Sequence, residues 1–221
     1  MAEDGSLSYM YNTNREIGTM PNILYSKGLV FAPAEIDMSI RPGWFWHENE
    51  DPHPLERLFR TYLKSVGANA CFHLNLPPNR DGLIDERDVK RLAEFGEMIR
   101  RELSTPMEAK IRRADDGASW QGEWEIELPA DAPAPRYVVL EEDLDFGQRV
   151  ESFRIFSDTN GGEHFPLYQG TTVGHRAVCC LCDPFAGQNP LTDDSTGKAR
   201  LLRLKITSCR CEPHLARIAV Y

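Results

Sequence analysis

The chain has 221 residues, a hydrophobic share of 41%, a charged share of 27% and a formal net charge of −9. That composition belongs to a packed globular chain and excludes disordered and collagen-like classes, and no apolar run approaches the ~20 residues a membrane-spanning helix needs. An acidic chain with no basic stripe also excludes nucleic acid and anionic membrane as expected partners, and the polar, acidic opening Met1–Ser6 lacks the pattern of a secretory signal.

Residues 1–30 show no sustained period and read as an irregular segment, after which Val30-Phe31-Ala32 can begin a strand. Pro42-Gly43 breaks the chain before an aromatic block, Trp44-Phe45-Trp46-His47. Leu58, Phe59, Tyr62, Leu63 and Val66 then recur at helical spacing, with Gly67 as the stop. Cys71 to Leu76 reads as a short strand closed by Pro77-Pro78, and Asn79 to Gly82 as a turn. Asp85 is placed to cap a second helix, on which Val89, Leu92, Phe95, Gly96 and Ile99 line one face to about Leu103. Residues 1–107 thus carry a βαβα pattern, the mark of a parallel sheet. Beyond Thr105-Pro106 the period changes to two. Strands are expected at 122–128, 136–140, 149–156, 175–181, 199–206 and 215–220, a set that predicts a β-sandwich or jelly roll over residues 108–221.

Five of the six cysteines fall late, in Cys179-Cys180-x-Cys182 and Cys209-x-Cys211. Four thiolates could hold zinc, but a one-residue gap within a strand differs from the usual knuckle. Buried thiols are the first expectation, a disulfide the second and zinc the third.

Three blocks together resemble the α-L-fucosidases of glycoside hydrolase family 29. The first is Pro33 to His47 (PAEIDMSIRPGWFWH). The second is Ser65 to Asn69 with Leu74 to Ile84. The third is Leu140 to Asp143, Gly147 to Phe153 and Gly170 to Gly174. The resemblance implies a (β/α)8-type barrel followed by a β-sandwich of jelly-roll, galactose-binding-like form. A barrel takes ~250 residues, so residues 1–107 match only its last βα units and the chain reads as a C-terminal portion.

The implied activity is that of a retaining α-L-fucosidase, which uses two carboxylates ~5–5.5 Å apart. Glu35 matches the general acid/base, and the family's nucleophilic Asp sits on an earlier strand with no counterpart here. Trp44 is the expected wall of a fucose pocket. Arg41 is expected either to hydrogen-bond a sugar hydroxyl or to neutralise Asp37. No metal or cofactor is implied. The implied partners are a fucosylated glycan and an upstream barrel segment, and the implied setting of the full-length parent is periplasmic, extracellular or lysosomal. His47 is expected to be a satisfied polar group rather than a catalyst, and Asn75 to order its loop. Trp120, Trp124, His164 and Tyr168 are expected to be structural, and the 183–194 loop to be solvated rather than a calcium site. Residues 108–221 are expected to fold alone as a monomer and 1–107 not. The alternative is a non-catalytic glycan-binding or structural module with a barrel remnant.

Overall fold

In the computed structural model, residues 34–114, 121–158, 165–185, 191–193, 197–198 and 200–221 are described; the expected strand at Val30–Ala32, Trp120, His164 and half of the 183–194 loop lie outside them. Strands β1 (Glu35–Ser39) and β2 (Cys71–Asn75) pair in parallel, Glu35 opposite Cys71 and Ser39 opposite Asn75. Helix α1 (Leu55–Lys64) connects them and α2 (Glu86–Leu103) follows. The first helix ends at Lys64 with Ser65 as its C-cap, and Gly67, two residues on, is required by space: a Cβ there would lie 2.4 Å from the Leu63 carbonyl oxygen and 2.9 Å from Val178. Asp85 caps α2, its carboxylate accepting from Arg87 N at 2.9 Å.

The expected single apolar face of α2 needs correction. Phe95, Met98 and Leu103 are buried, but Val89 is 54% and Leu92 39% exposed. At about 100° per residue buried Leu103 falls between exposed Leu92 and Val89 around the axis, so the difference runs along the helix: the apolar residues of its first turns are bare and those of its later turns are covered.

The remaining strands form two antiparallel sheets and a two-residue ribbon. The larger sheet has the order β3 (Lys110–Arg113), β4 (Glu123–Glu127), β11 (Leu201–Cys209), β6 (Val150–Ser157), β7 (Tyr168–Gly170). The smaller has the order β12 (Leu215–Val220), β5 (Tyr137–Glu142), β8 (Ala177–Cys180). The ribbon pairs β9 (Thr192–Asp193) with β10 (Gly197–Lys198). β3 and β7 were not legible in the sequence. Both are short edge strands, and β3 protects its edge with Lys110 and Arg112, which point charge at the solvent.

Two cores divide the side chains of the three-stranded sheet by parity. Val138, Leu140, Cys179 and Val220 face the five-stranded sheet and pack with Ile126, Phe153, Ile155, Leu202 and Leu204. Tyr137, Val139, Val178, Ala219 and Tyr221 face the other way, onto Ile40, Leu58, Phe59, Phe95 and Met98. A sheet covered on both sides needs consecutive apolar residues, and the run Tyr137-Val138-Val139-Leu140 supplies them, each residue essentially inaccessible. The described residues are therefore mixed α/β with mainly antiparallel sheets, and Ala34–Tyr221 forms one compact unit.

Two polar joints hold the layers. Val178 N donates to Gly67 O (2.7 Å), Asn69 N to Arg176 O (2.9 Å) and His175 N to Asn69 Oδ1 (2.7 Å). Asn69 Nδ2 donates to Gln148 Oε1 at 3.1 Å. Asn69 adopts φ 61° to do so, and Gly174, at φ 58°, leaves its amide room: a Cβ on Gly174 would lie 2.3 Å from Asn69 Nδ2. Nearby, the buried Glu142 carboxylate accepts from Arg149 N, Val150 N and Gly174 N at 2.7–2.9 Å, a full set of partners for a charge removed from water.

All six cysteines are free thiols, so the disulfide alternative is not realised. Cys179 and Cys182 are buried, Cys180, Cys209 and Cys211 half-buried and Cys71 exposed. Burial pushes the Cys179 thiol pKa up, and burial with the neighbouring Cys182 takes Cys180 up to about 11.

Candidate functional site

The β1–β2 ribbon has unlike faces. Met38, Ile40, Phe72 and Leu74 pack toward the helices, so alternation puts Glu35, Asp37 and Ser39, with Cys71, His73 and Asn75, on the opposite, polar face. Glu35 is solvent-facing, its Oε1 3.4 Å from His73 Nδ1, and Asp37 stands opposite His73 in the register. Glu35 opens the strand and Ser39 closes it, which separates them by about 13 Å of extended chain.

The C-terminal end of the ribbon is built around Asn75. Its Nδ2 donates to Ser39 Oγ (3.1 Å) and to the Trp44 carbonyl (3.0 Å). Asn75 thereby pins the loop that follows β1, and it presents Trp44 with 52% of its surface exposed.

Arg41 lies beneath that loop, fully buried. Its Nε donates to both oxygens of buried Asp88 (3.0 and 2.8 Å), and its Nη1 to the carbonyls of His47 (2.9 Å) and Glu50. Its Nη2 is 3.2 Å from Asp85 Oδ2, and its guanidinium carbon 5.9 Å from the Trp46 ring centre. The expectations for Arg41 are corrected here. Its carboxylate partners are Asp88 and Asp85 rather than Asp37, and a guanidinium with no accessible surface offers a sugar hydroxyl nothing to approach. What it does is hold the 41–50 loop against the start of α2.

Asp85 extends the same network, accepting from Trp46 Nε1 (2.9 Å) and from Arg87. The hydrogen bonds from Arg87, and after them the one from Trp46, hold the Asp85 carboxyl well below the usual carboxylate range. Arg87 also reaches Asp51 (3.0 Å) and the Glu48 carbonyl (3.1 Å). Sequence reading did not assign Asp88 this role as the partner of Arg41. The signal it could have used is spacing, because Asp88 lies seven residues before core residue Phe95 and so on the same helical face.

On the sandwich side, Trp124 is half-buried against the core with the Arg113 guanidinium 5.4 Å from its ring centre. Tyr168 stacks on Phe153 at 5.9 Å, and burial takes its phenol up to about 12. Both are structural. Asp183, the first residue of the 183–194 loop, pairs with Arg60 at 2.7 Å and accepts from Phe185 N at 3.0 Å. Among the described residues, no group of three or more His, Cys, Asp or Glu is placed to hold a metal ion.

A family model described as Alpha-L-fucosidase matches residues 9–102. The chain is 32% identical over 247 residues to Alpha-L-fucosidase 1 of Arabidopsis thaliana, a match that covers 97% of this chain and 46% of that protein. Among solved structures, SpGH29 is similar over 99% of this chain and 48% of its own, at 28% identity and TM-score 0.74. A Ruminococcus gnavus GH29 fucosidase in complex with fucose is similar over 88% of this chain and 42% of its own, at 25% identity and TM-score 0.71. The chain spans about half the length of the relatives it matches.

Proposed function

The chain belongs to the α-L-fucosidase family, glycoside hydrolase family 29, and we propose that it is the C-terminal portion of a retaining enzyme that removes terminal α-L-fucose from glycans. In this reading residues 1–107 are the last βα units of a (β/α)8-type barrel, and residues 108–221 a galactose-binding-like, jelly-roll β-sandwich that braces them. The observation that carries the reading is the strand-end arrangement. Asn75 fixes the loop after β1 so that Trp44 stands exposed at the C-terminal ends of two parallel strands, the end at which barrel enzymes place their sites.

Trp44 offers an aromatic face to the apolar side of the sugar, and Arg41 acts from below as the anchor of its loop. Glu35 is the proposed acid/base: it protonates the departing glycosidic oxygen, then takes a proton from the water that releases fucose. The nucleophile comes from the portion of the family's length that this chain does not span. No metal or redox cofactor enters these steps. Glu35 starts about 13 Å of strand away from the Ser39 end, so the assignment requires its carboxylate to meet the sugar from the lower part of the polar face.

The test is co-expression of the chain with the part of the plant relative outside the matched span, assayed on a nitrophenyl α-L-fucoside. The chain alone is expected to be inactive and the pair active. Glu35→Gln is expected to lower kcat at least ~100-fold, the usual weight of acid/base catalysis. Turnover that is indifferent to Glu35→Gln overturns the assignment of Glu35. An inactive pair overturns the proposed activity.

A further inference from the structure

The aromatic surface exposed at the strand ends is larger than one sugar uses. Phe45 is 78% exposed, more than any other large apolar side chain among the described residues, and it follows directly on Trp44. Among the described residues no ring and no guanidinium stacks on its face. The exposure does not come from a loose loop. Asn75 Nδ2 donates to the Trp44 carbonyl at 3.0 Å, and that carbonyl belongs to the planar peptide joining Trp44 to Phe45. One clamp therefore orients the roots of both side chains. On the far side, the Trp46 indole donates to Asp85 at 2.9 Å, and the His47 carbonyl accepts from buried Arg41 at 2.9 Å. Phe45 is thus held between fixed neighbours with its ring in water, and a fold that does so gives up the gain of burying it. The approach beside the pair is open, since a Cβ on Gly43 would meet no atom within 4 Å.

We infer that Phe45 is the platform for the sugar next to fucose, and that the substrate class is an oligosaccharide whose penultimate hexose or N-acetylhexosamine lays an apolar C–H face on that ring. The inference rests on the proposed function and deepens it: Trp44 meets the fucose, and Phe45 meets what the fucose is attached to. Adjacent Cα atoms are about 3.8 Å apart, less than the width of a pyranose, so a fucose on Trp44 brings its glycosidic neighbour within reach of Phe45. The negative face of an aromatic ring attracts the polarised C–H bonds on one side of a sugar. A side chain with only two torsions, on a loop already fixed, also loses little freedom when the sugar arrives. A short aglycone, such as the side chain of a hydroxy amino acid, has no ring to lay there.

The chain is co-expressed with the part of the plant relative outside the matched span, and two substrates are compared. Fucosyl fluoride carries no second sugar, whereas fucosyllactose, supplied as its α1,2 and α1,3 isomers, carries one. The quantity read is the ratio of kcat/KM on the better fucosyllactose to kcat/KM on the fluoride. Phe45→Ala is expected to lower this ratio at least tenfold, an effect of about 1.4 kcal/mol, chiefly through KM. Phe45→Tyr keeps the ring and is expected to recover most of the loss. Both changes alter an exposed side chain, so the variants are expected to melt with the wild type. A ratio indifferent to Phe45→Ala refutes the platform and leaves the proposed activity standing, as does a wild-type pair that cleaves the fluoride and neither fucosyllactose. Equal losses on both substrates, or loss of the complex itself, show that the missing barrel portion covers Phe45, and this also overturns the inference. A pair inactive on both substrates sinks the proposed activity and the platform together.

Discussion

Replacing Asp88 by Ala tests how the loop bearing Trp44 is held. Asp88 and Arg41 are both fully buried, and Asp88 takes two contacts from Arg41 Nε at 2.8–3.0 Å. In Asp88→Ala the guanidinium keeps its bonds to the carbonyls of His47 and Glu50 and its 3.2 Å approach to Asp85, but loses its main counter-ion while fully buried. Removing one partner of a buried pair costs about 3–5 kcal/mol, a large part of the ~5–15 kcal/mol that holds a domain of this kind together. With a urea m-value of about 2–3 kcal/mol/M, the midpoint falls by roughly 1–2.5 M. Urea unfolding is to be followed by far-UV circular dichroism for the whole molecule and by tryptophan fluorescence for the loop, since Trp46 Nε1 bonds Asp85 in the same network. Replacing both partners, Arg41→Met with Asp88→Leu, removes the orphaned charge and is expected to lose less than the Asp88→Ala single change. A loss below ~1 kcal/mol in Asp88→Ala refutes the view of this pair as the anchor, as does a double variant worse than both single ones.

The thiols give a pH-dependent prediction. With the Cys180 pKa near 11 rather than an ordinary ~8.5, its thiolate fraction at pH 8 falls from roughly a quarter to about one in a thousand. Iodoacetamide labelling read by mass spectrometry is expected to modify exposed Cys71 first and Cys180 roughly 100-fold more slowly; equal rates contradict the burial argument. Folding raises this pKa, so its contribution to stability is complete below about 8.5 and is lost as the pH climbs toward about 11. The second core yields another expectation. Expressed without residues 1–107, the sandwich exposes Tyr137, Val139, Val178, Ala219 and Tyr221, at about 1.5–3 kcal/mol for each large side chain. That piece is expected to bind a hydrophobic dye or to aggregate; a monomer melting as cooperatively as the whole chain shows that the second core is dispensable.

The pattern of apolar residues was enough to place both helices, β2 and most of the sandwich, whereas β1 (Glu35–Ser39) lies beyond the strand start suggested at Val30–Ala32. Nor was that pattern enough to show that the three-stranded sheet is covered twice. Tyr137-Val138-Val139-Leu140 reads as a strand from its composition, but only the third dimension assigns Tyr137 and Val139 to the helices and Val138 and Leu140 to the other sheet. That is why independent folding of residues 108–221 looked reasonable in one dimension and is opposed by the shared interior. The candidate site divides in the same way. Asn75 was legible as a residue that orders its loop, because a strand end fixes where its next few residues go. Arg41 was misread because its partner, Asp88, is 47 residues away on another element, and sequence proximity favoured Asp37. The resembled blocks show the cause most clearly. Asn69 of the second block meets Gln148 and Gly174 of the third in one joint, and Glu142, also of the third, accepts from the Gly174 amide beside it. Residues that join two layers need fixed identities as strictly as catalytic ones do, since a left-handed Asn, a Cβ-free Gly and a buried carboxylate have few substitutes. A block that reads as a functional signature can therefore be the mark of a hinge between layers, and burial together with hydrogen-bond partners is what tells the two apart.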